Sequence, residues 1–176
     1  MREPIRVILG IDPGLALLGY GLIRAEGQTL EHLAHGCVST PAGLPVPARL
    51  RMLFDELCRL RDDHPITDVA LESLFHSRNV STALMVGQAR GIAILATIRD
   101  GDGVVFAEYT PTQVKQAVGG YGRARKPQMQ QMVALLLNLP EVPSSDDAAD
   151  ALAVAICHAR EAALAGVLAR ARSQAS

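Results

Sequence analysis

The sequence predicts a mixed α/β domain, a sheet with helices on its faces. Two observations carry this. The first 38 residues hold three short apolar or alternating runs joined by tight turns, the pattern of an antiparallel meander. Beyond them, segments of helical period alternate with two more strand-like runs, which lays helices against the sheet. A third observation concerns chemistry: two of the strand-like runs end in a carboxylate, Asp12 and Glu72.

Val7-Ile8-Leu9-Gly10-Ile11 is short, apolar and rich in β-branched residues, and Pro13-Gly14 ends it as a turn. Residues 19–25 and 30–38 read as the next two strands, split at Gly27-Gln28. A Pro-rich segment over 41–47 leads into a helix over 48–61, where Leu50, Leu53, Phe54, Leu57 and Leu60 keep helical spacing. A strand over 67–72, a long helix over 80–98 and a strand over 104–108 follow, then a short helix over 112–118. Gly119-Gly120-Tyr121-Gly122 breaks the chain before a helix over 126–137. Pro140 and Pro143 bracket a loop, and the last helix runs from Asp146 past Leu164. Residues 1–170 are expected to form one domain, with 171–176 as a disordered tail.

The chain is long enough, at 176 residues, to bury a proper core, and 49% apolar with 20% charged content is that of an ordinary soluble protein. Cys37, Cys58 and Cys157 are odd in number and far apart, which suits a reducing cytosol and argues against a zinc site or a disulfide framework. The N-terminus has no signal-peptide character, and Gln88 and Arg90 interrupt the most apolar stretch, so no membrane span is expected and the location is cytoplasmic. A net charge of −1 gives no global clue to a polyanionic partner, but its distribution does. Between Glu72 and Asp100 the only charges are Arg78, Arg90 and Arg99; between Glu108 and Glu141 they are Lys115, Arg123, Arg125 and Lys126. Such acid-free stretches can make a local positive surface for a phosphate backbone, or can simply be solvated faces.

A carboxylate at the tip of a buried strand is costly unless a positive charge stands beside it, which singles out Asp12. Glu72 is similarly placed, although alone it would be an ordinary surface acid where a strand leaves the core. The run Ser144-Ser145-Asp146-Asp147-Ala148-Ala149-Asp150 opens the last helix, and serine followed by acids is how helices cap themselves and offset their dipole. Asp150 lies a turn further in among small apolar residues, and it shares a helical face with Asp147. His158 continues that stripe, and is better read as a packed or outer-sphere histidine than as a ligand. Two carboxylates about 5 Å apart repel by roughly 3 kcal/mol at an effective dielectric near 20. Asp12, Glu72, Asp147 and Asp150 brought together would therefore require a cation, and an all-oxygen set suits magnesium or manganese. Paired ions of this kind serve in-line attack on a phosphodiester, so acidic centre and basic surface together point to a metal-dependent nuclease.

In its ordered motifs the chain resembles the RuvC-type Holliday junction resolvases. The likeness rests on residues 8–14 (Ile-Leu-Gly-Ile-Asp-Pro-Gly) with Gly19-Tyr20-Gly21, on Glu72 with Phe75, and on Gly87-Gln88-Ala89-Arg90-Gly91. It continues through Gln113-Val114-Lys115-Gln116 to the run Asp147-Ala148-Ala149-Asp150-Ala151-Leu152-Ala153. The resemblance implies a ribonuclease H-like fold, a five-stranded sheet whose first three strands form the meander and whose others run parallel. It implies that Asp12, Glu72, Asp147 and Asp150 are catalytic acids holding two Mg2+ ions, with Mn2+ a workable substitute. Asp146 adds an acid directly before the expected one, so the register is open by one residue. Phe75 matches an aromatic residue near the junction crossover, and Lys115 and Lys126 match residues that meet phosphates. Arg78, Arg123 and Arg125 join them as candidate DNA contacts. The implied substrate is four-way junction DNA, cut by paired symmetric nicks that leave 5′-phosphate and 3′-hydroxyl ends. The implied partners are a second copy of the chain, docked through helix 80–98, and a branch-migration motor of the RuvA and RuvB type. A helix apolar around most of its circumference, with Gly87 and Gly91 four apart, gives the dimer support of its own. A non-catalytic DNA-binding relative and an actin- or sugar-kinase-type phosphotransferase are the alternatives; the latter normally needs two lobes.

Overall fold

The computed structural model describes residues 4–73, 80–98, 101, 103–120 and 124–174. Its five strands are β1 (Arg6–Asp12), β2 (Leu17–Glu26), β3 (Thr29–Ser39), β4 (Asp68–Glu72) and β5 (Val105–Tyr109), in the spatial order β3-β2-β1-β4-β5. The pairs β1–β2 and β2–β3 are antiparallel, while β1–β4 and β4–β5 are parallel. This is the sheet that the meander and the alternating second half predict.

Helices α1 (Val46–Asp63) and α2 (Val80–Thr97) cover one face; α3 (Pro111–Gly119), α4 (Lys126–Leu136) and α5 (Asp146–Gln174) cover the other. The strands divide their residues between these layers with a period of two. Val7, Leu9 and Ile11 pack with α1 and α2, while Ile8 belongs to the core beneath α5, so Gly10 and Asp12 face that side as well. The first helix starts at Val46 rather than Ala48, because Pro47 is compatible with a first helical turn, where its missing N–H costs nothing. At the other end α5 runs to Gln174, where Ala171, Arg172 and Gln174 all favour helix.

The sheet is seated on α5. Every residue from Ala148 to Ala159 except Asp150 is buried, which only a helix enclosed on nearly all sides achieves. By length and composition α2 and α5 could each cross a membrane; the enclosed stretch of α5 is what a soluble core helix looks like too. Contact between α5 and the sheet is close because the strands offer glycine where the helix lands. A Cβ at Gly10 would stand 2.1 Å from the Ala151 carbonyl oxygen, and one at Gly19 would stand 2.1 Å from that of Asp147. At Gly21 the clash would be with Leu152. Helix backbone thus rests on strand backbone, and Ala151 and Ala155 keep the helix side equally thin.

Gly10→Ala should destabilise the fold by about 3 kcal/mol, since a methyl must displace backbone rather than a movable side chain. Urea unfolding of the two proteins would measure this; a loss under 1 kcal/mol would mean that α5 can slide away without cost.

Candidate active site

Because β1 and β4 are parallel neighbours, their C-terminal tips open on the same edge of the sheet. Asp12 is the last residue of β1 and Glu72 the last of β4. Asp147 and Asp150 lie in the first turns of α5, at the end that the seat on Gly19 and Gly10 carries over those tips. All four are half-buried.

Their electrostatics show that they share one environment. Burial, then Glu72, Asp150 and Asp147 in that order, push Asp12 up to about 7, with Lys126 pulling weakly the other way. Burial and Asp150 hold Glu72 above the usual carboxylate range, against Lys115 and Lys126. Burial also raises Asp150, although it accepts a hydrogen bond from Lys126. Lys126 opens α4 and places Nζ 3.2 Å from Asp150 Oδ2 and 3.1 Å from Asp146 Oδ2. Burial alone would lower that ammonium's pKa; the two carboxylates outweigh it and raise it.

Asp146 and Asp147 differ in their surroundings. Asp146 is exposed and accepts from Gln130 Nε2 at 2.6 Å as well as pairing with Lys126. Asp147 is the one that acts on Asp12. Among the described residues no three His, Cys, Asp or Glu converge on a point that could hold a metal ion. The four acids stand in electrostatic reach of one another without closing on a centre, which is the arrangement repulsion favours. Their chemistry nonetheless fits a hard cation: carboxylate oxygens only, with burial and mutual repulsion together disfavouring the ionised form of Asp12.

Beside the acids lies a cavity of about 250 Å³, lined by Glu72, Asp150, Lys115 and Lys126 together with the apolar Pro111, Val114 and Met129. Lys115 is therefore brought to the site, as Lys126 is. Arg125 is exposed and supplies the N-cap of α4. Phe75, Arg78 and Arg123 lie outside the described residues.

His158 shares the face of Asp150, but it turns to other partners. The separation of eight residues places it about 12 Å along α5, and the four residues from Glu72 back to Asp68 span about 13 Å of β4. At that far end His158 Nε2 lies 2.8 Å from Asp68 Oδ1, and Nδ1 lies 2.8 Å from the Tyr109 hydroxyl. Asp68 is fully buried and also accepts from Arg6 Nη1 at 2.6 Å and from Thr67 Oγ1 at 2.5 Å. These partners outweigh burial and hold its carboxyl below the usual range. The matched lengths mean that the Asp68–His158 tie and the Glu72–Asp150 approach fix the same helix register at two points. Sequence reasoning missed Asp68 and Tyr109. The one available signal was an acid in the middle of a buried strand with a histidine elsewhere to answer it.

Comparison with known proteins follows the same outline. The family model described as "Crossover junction endodeoxyribonuclease RuvC" matches residues 8–158. The chain belongs to the RuvC family. The match runs from the strand of Asp12 to His158, so all four acids fall inside it. A RuvC from Thermomicrobium roseum is 60% identical over 151 residues, 86% of this chain and 91% of the relative. One from Alkaliphilus oremlandii is 54% identical over 153 residues, covering 87% and 92%. Among solved structures, Thermus thermophilus RuvC in complex with a Holliday junction substrate superposes with a TM-score of 0.85 at 33% identity, covering 91% of this chain and 96% of that one. The yeast mitochondrial resolvase Ydc2, at 15% identity and a TM-score of 0.66, shares the fold.

Within this RuvC fold, ionising Asp12 costs stability. Its proton is held more tightly in the folded protein than in the unfolded chain, so the penalty is absent below about pH 4, grows as pH rises, and is complete above about pH 7. Asp12→Asn should therefore stabilise the metal-free protein by on the order of 2–4 kcal/mol near pH 8, and by almost nothing near pH 4. Thermal melts in chelator across that range would show it. An equal gain at both ends would locate the effect elsewhere.

Proposed function

We propose that this chain is a Holliday junction resolvase, which hydrolyses a phosphodiester in each of two opposed strands and leaves 5′-phosphate and 3′-hydroxyl ends. The carrying observation is the placement of two acids at the tips of β1 and β4 beneath two more in the first turns of α5, where burial and the neighbouring carboxylates together push Asp12 up to about 7. A site built to concentrate negative charge in the absence of substrate is built for cations. Membership of the RuvC family and the likeness to a relative held on a Holliday junction supply the substrate class.

In this reading Asp12, Glu72, Asp147 and Asp150 hold two Mg2+ ions. When bound, such ions make a water molecule acidic enough to attack and offset charge on the departing 3′ oxygen. The chain's own residues do the rest. The seat of α5 on Gly10 and Gly19 holds two acids against the two at the strand tips. Lys126 pairs with Asp150 and Asp146, and once those carboxylates were otherwise neutralised its ammonium would be available to a DNA phosphate. Lys115 stands on the same cavity to meet the same backbone. The apolar components, Val114 and Met129, keep solvent from that side of the site.

Two symmetric nicks call for two copies of the site, and α2 supplies a means of pairing. Its buried positions Ala89, Ala93 and Ala96 face the chain's own core. On the outer side Val80, Leu84 and Leu95 are exposed at 75%, 65% and 66%. They are spaced with Gly87 and Gly91, whose Cβ positions meet nothing within 4 Å, along one helical stripe. This stripe fits a second copy of α2, and a RuvA- and RuvB-type motor is the expected source of the junction.

A labelled mobile junction incubated with Mg2+, Mn2+ or chelator tests the assignment. Paired, ligatable nicks are expected with either metal and none with chelator. Asp12→Asn should cut at least a thousandfold more slowly while binding the junction within about threefold of the parent. Binding without cleavage by the parent protein would instead indicate a non-catalytic relative. Leu84→Glu should shift the protein from dimer to monomer in sedimentation and abolish paired nicking; a variant that stays dimeric would place the interface elsewhere.

A further inference from the structure

The outer strand β3 carries a feature that the nuclease site does not use. Its pairing with β2 slips between Leu22 and Ile23, so that Ala34 opposes Leu22 while His32 opposes Ile23. Leu33 is the extra residue of a β-bulge. Residues three apart on a regular strand point to opposite faces, but here the bulge restores His32 and His35 to the same one. His35 opposes Gly21 and His32 opposes Ile23, and both of those residues face α5. The two half-buried imidazoles meet there, with His32 Nε2 2.7 Å from His35 Nδ1 and the rings edge-on at 62°.

We infer that His32 and His35 form a binding site for one borderline divalent cation of the Zn2+, Ni2+ or Cu2+ class, separate from the carboxylate site. Imidazole nitrogens select this class over Mg2+, which takes oxygen ligands. Both facing nitrogens must present lone pairs. The ring that donates in the imidazole–imidazole hydrogen bond therefore moves its proton to its outward nitrogen, a tautomer change with no net proton release. Burial and the neighbouring ring lower the pKa of His32, which keeps it neutral for this purpose. Two nitrogens on a tetrahedral ion at ~2.0–2.1 Å stand ~3.3–3.4 Å apart. From 2.7 Å the two nitrogens must part by about 0.6–0.7 Å, which side-chain rotations at the edge of a sheet provide. Solvent completes the coordination. Such an ion braces the bulge on the strand that ends the sheet, where unpaired backbone groups are otherwise free to recruit another strand.

Zn2+ and Ni2+ titrations of the full-length protein, in saturating Mg2+ to occupy the carboxylates, provide the test. One equivalent should bind to the parent protein. His32→Ala and His35→Ala should each weaken binding at least tenfold, while both leave Mg2+-dependent junction cleavage unchanged. Cu2+ bound to the parent should show two nitrogen ligands by electron paramagnetic resonance, and Zn2+ should raise its melting temperature but not that of the double variant. Cys37→Ser should bind like the parent. Equal binding by parent and double variant would overturn the site, as would loss of binding in Cys37→Ser alone.

Discussion

The contact on which everything else rests is that of α5 with the glycines of β1 and β2. Ordinary helix–sheet packing interposes a layer of side chains. Here Gly10, Gly19 and Gly21 remove that layer on one side and alanines thin it on the other, until helix and strand backbones touch. The gain is precision more than apolar area. An interface in which backbone meets backbone at two points has few alternative arrangements, which limits the axial sliding and rotation of α5. The carboxylates of Asp147 and Asp150 inherit that precision.

Such rigidity is needed because the site is internally opposed. Burial and three neighbouring acids together raise the pKa of Asp12, and left to themselves the carboxylates would separate. Packing prevents this at one end of α5, and the buried Asp68–His158–Tyr109 chain pins it at the other. The two ends of β4 thus carry opposite kinds of electrostatics. At Asp68 every charge is answered by a partner and the carboxyl titrates low; at Glu72 charge is left in excess and the carboxyl titrates high. One strand and one helix hold a satisfied network and a frustrated one some 13 Å apart. The satisfied network contributes to keeping the frustrated one assembled.

Most elements were legible because their signals are local. The β1 run, the Pro13-Gly14 turn, the helical spacing of α1 and the apolar run of α2 each lie within a short window, and the structure departs from them by a residue or two at the ends. The candidate acids were legible for a related reason: Asp12 and Glu72 announce themselves at the tips of apolar runs, and Asp147 and Asp150 by their i, i+3 spacing. What could not be read depends on pairings across long separations. Asp68 meets His158 across 90 residues, and nothing near either one predicts the other. Lys126 reads as a phosphate contact in sequence, and only its approach to Asp146 and Asp150 shows that it serves as a counter-ion in the resting site. The β3 bulge was likewise invisible, since His-Leu-Ala-His is an unremarkable stretch until its register with β2 is known.

The burial of α5 has a consequence for the conditions under which the enzyme could exist in part. Surface loops open many times for each unfolding of the whole molecule, and active sites placed on them come and go with those openings. Here half of the acids sit on the most enclosed helix of the protein and the other half on two central strands. Freeing the enclosed stretch of α5 from Ala148 to Ala159 requires parting it from the sheet beneath. The acids are therefore assembled when the core is assembled and dispersed when it is not. On the proposed function this packing is a safeguard: a damaged or half-made copy would hold no partial site with which to cut DNA.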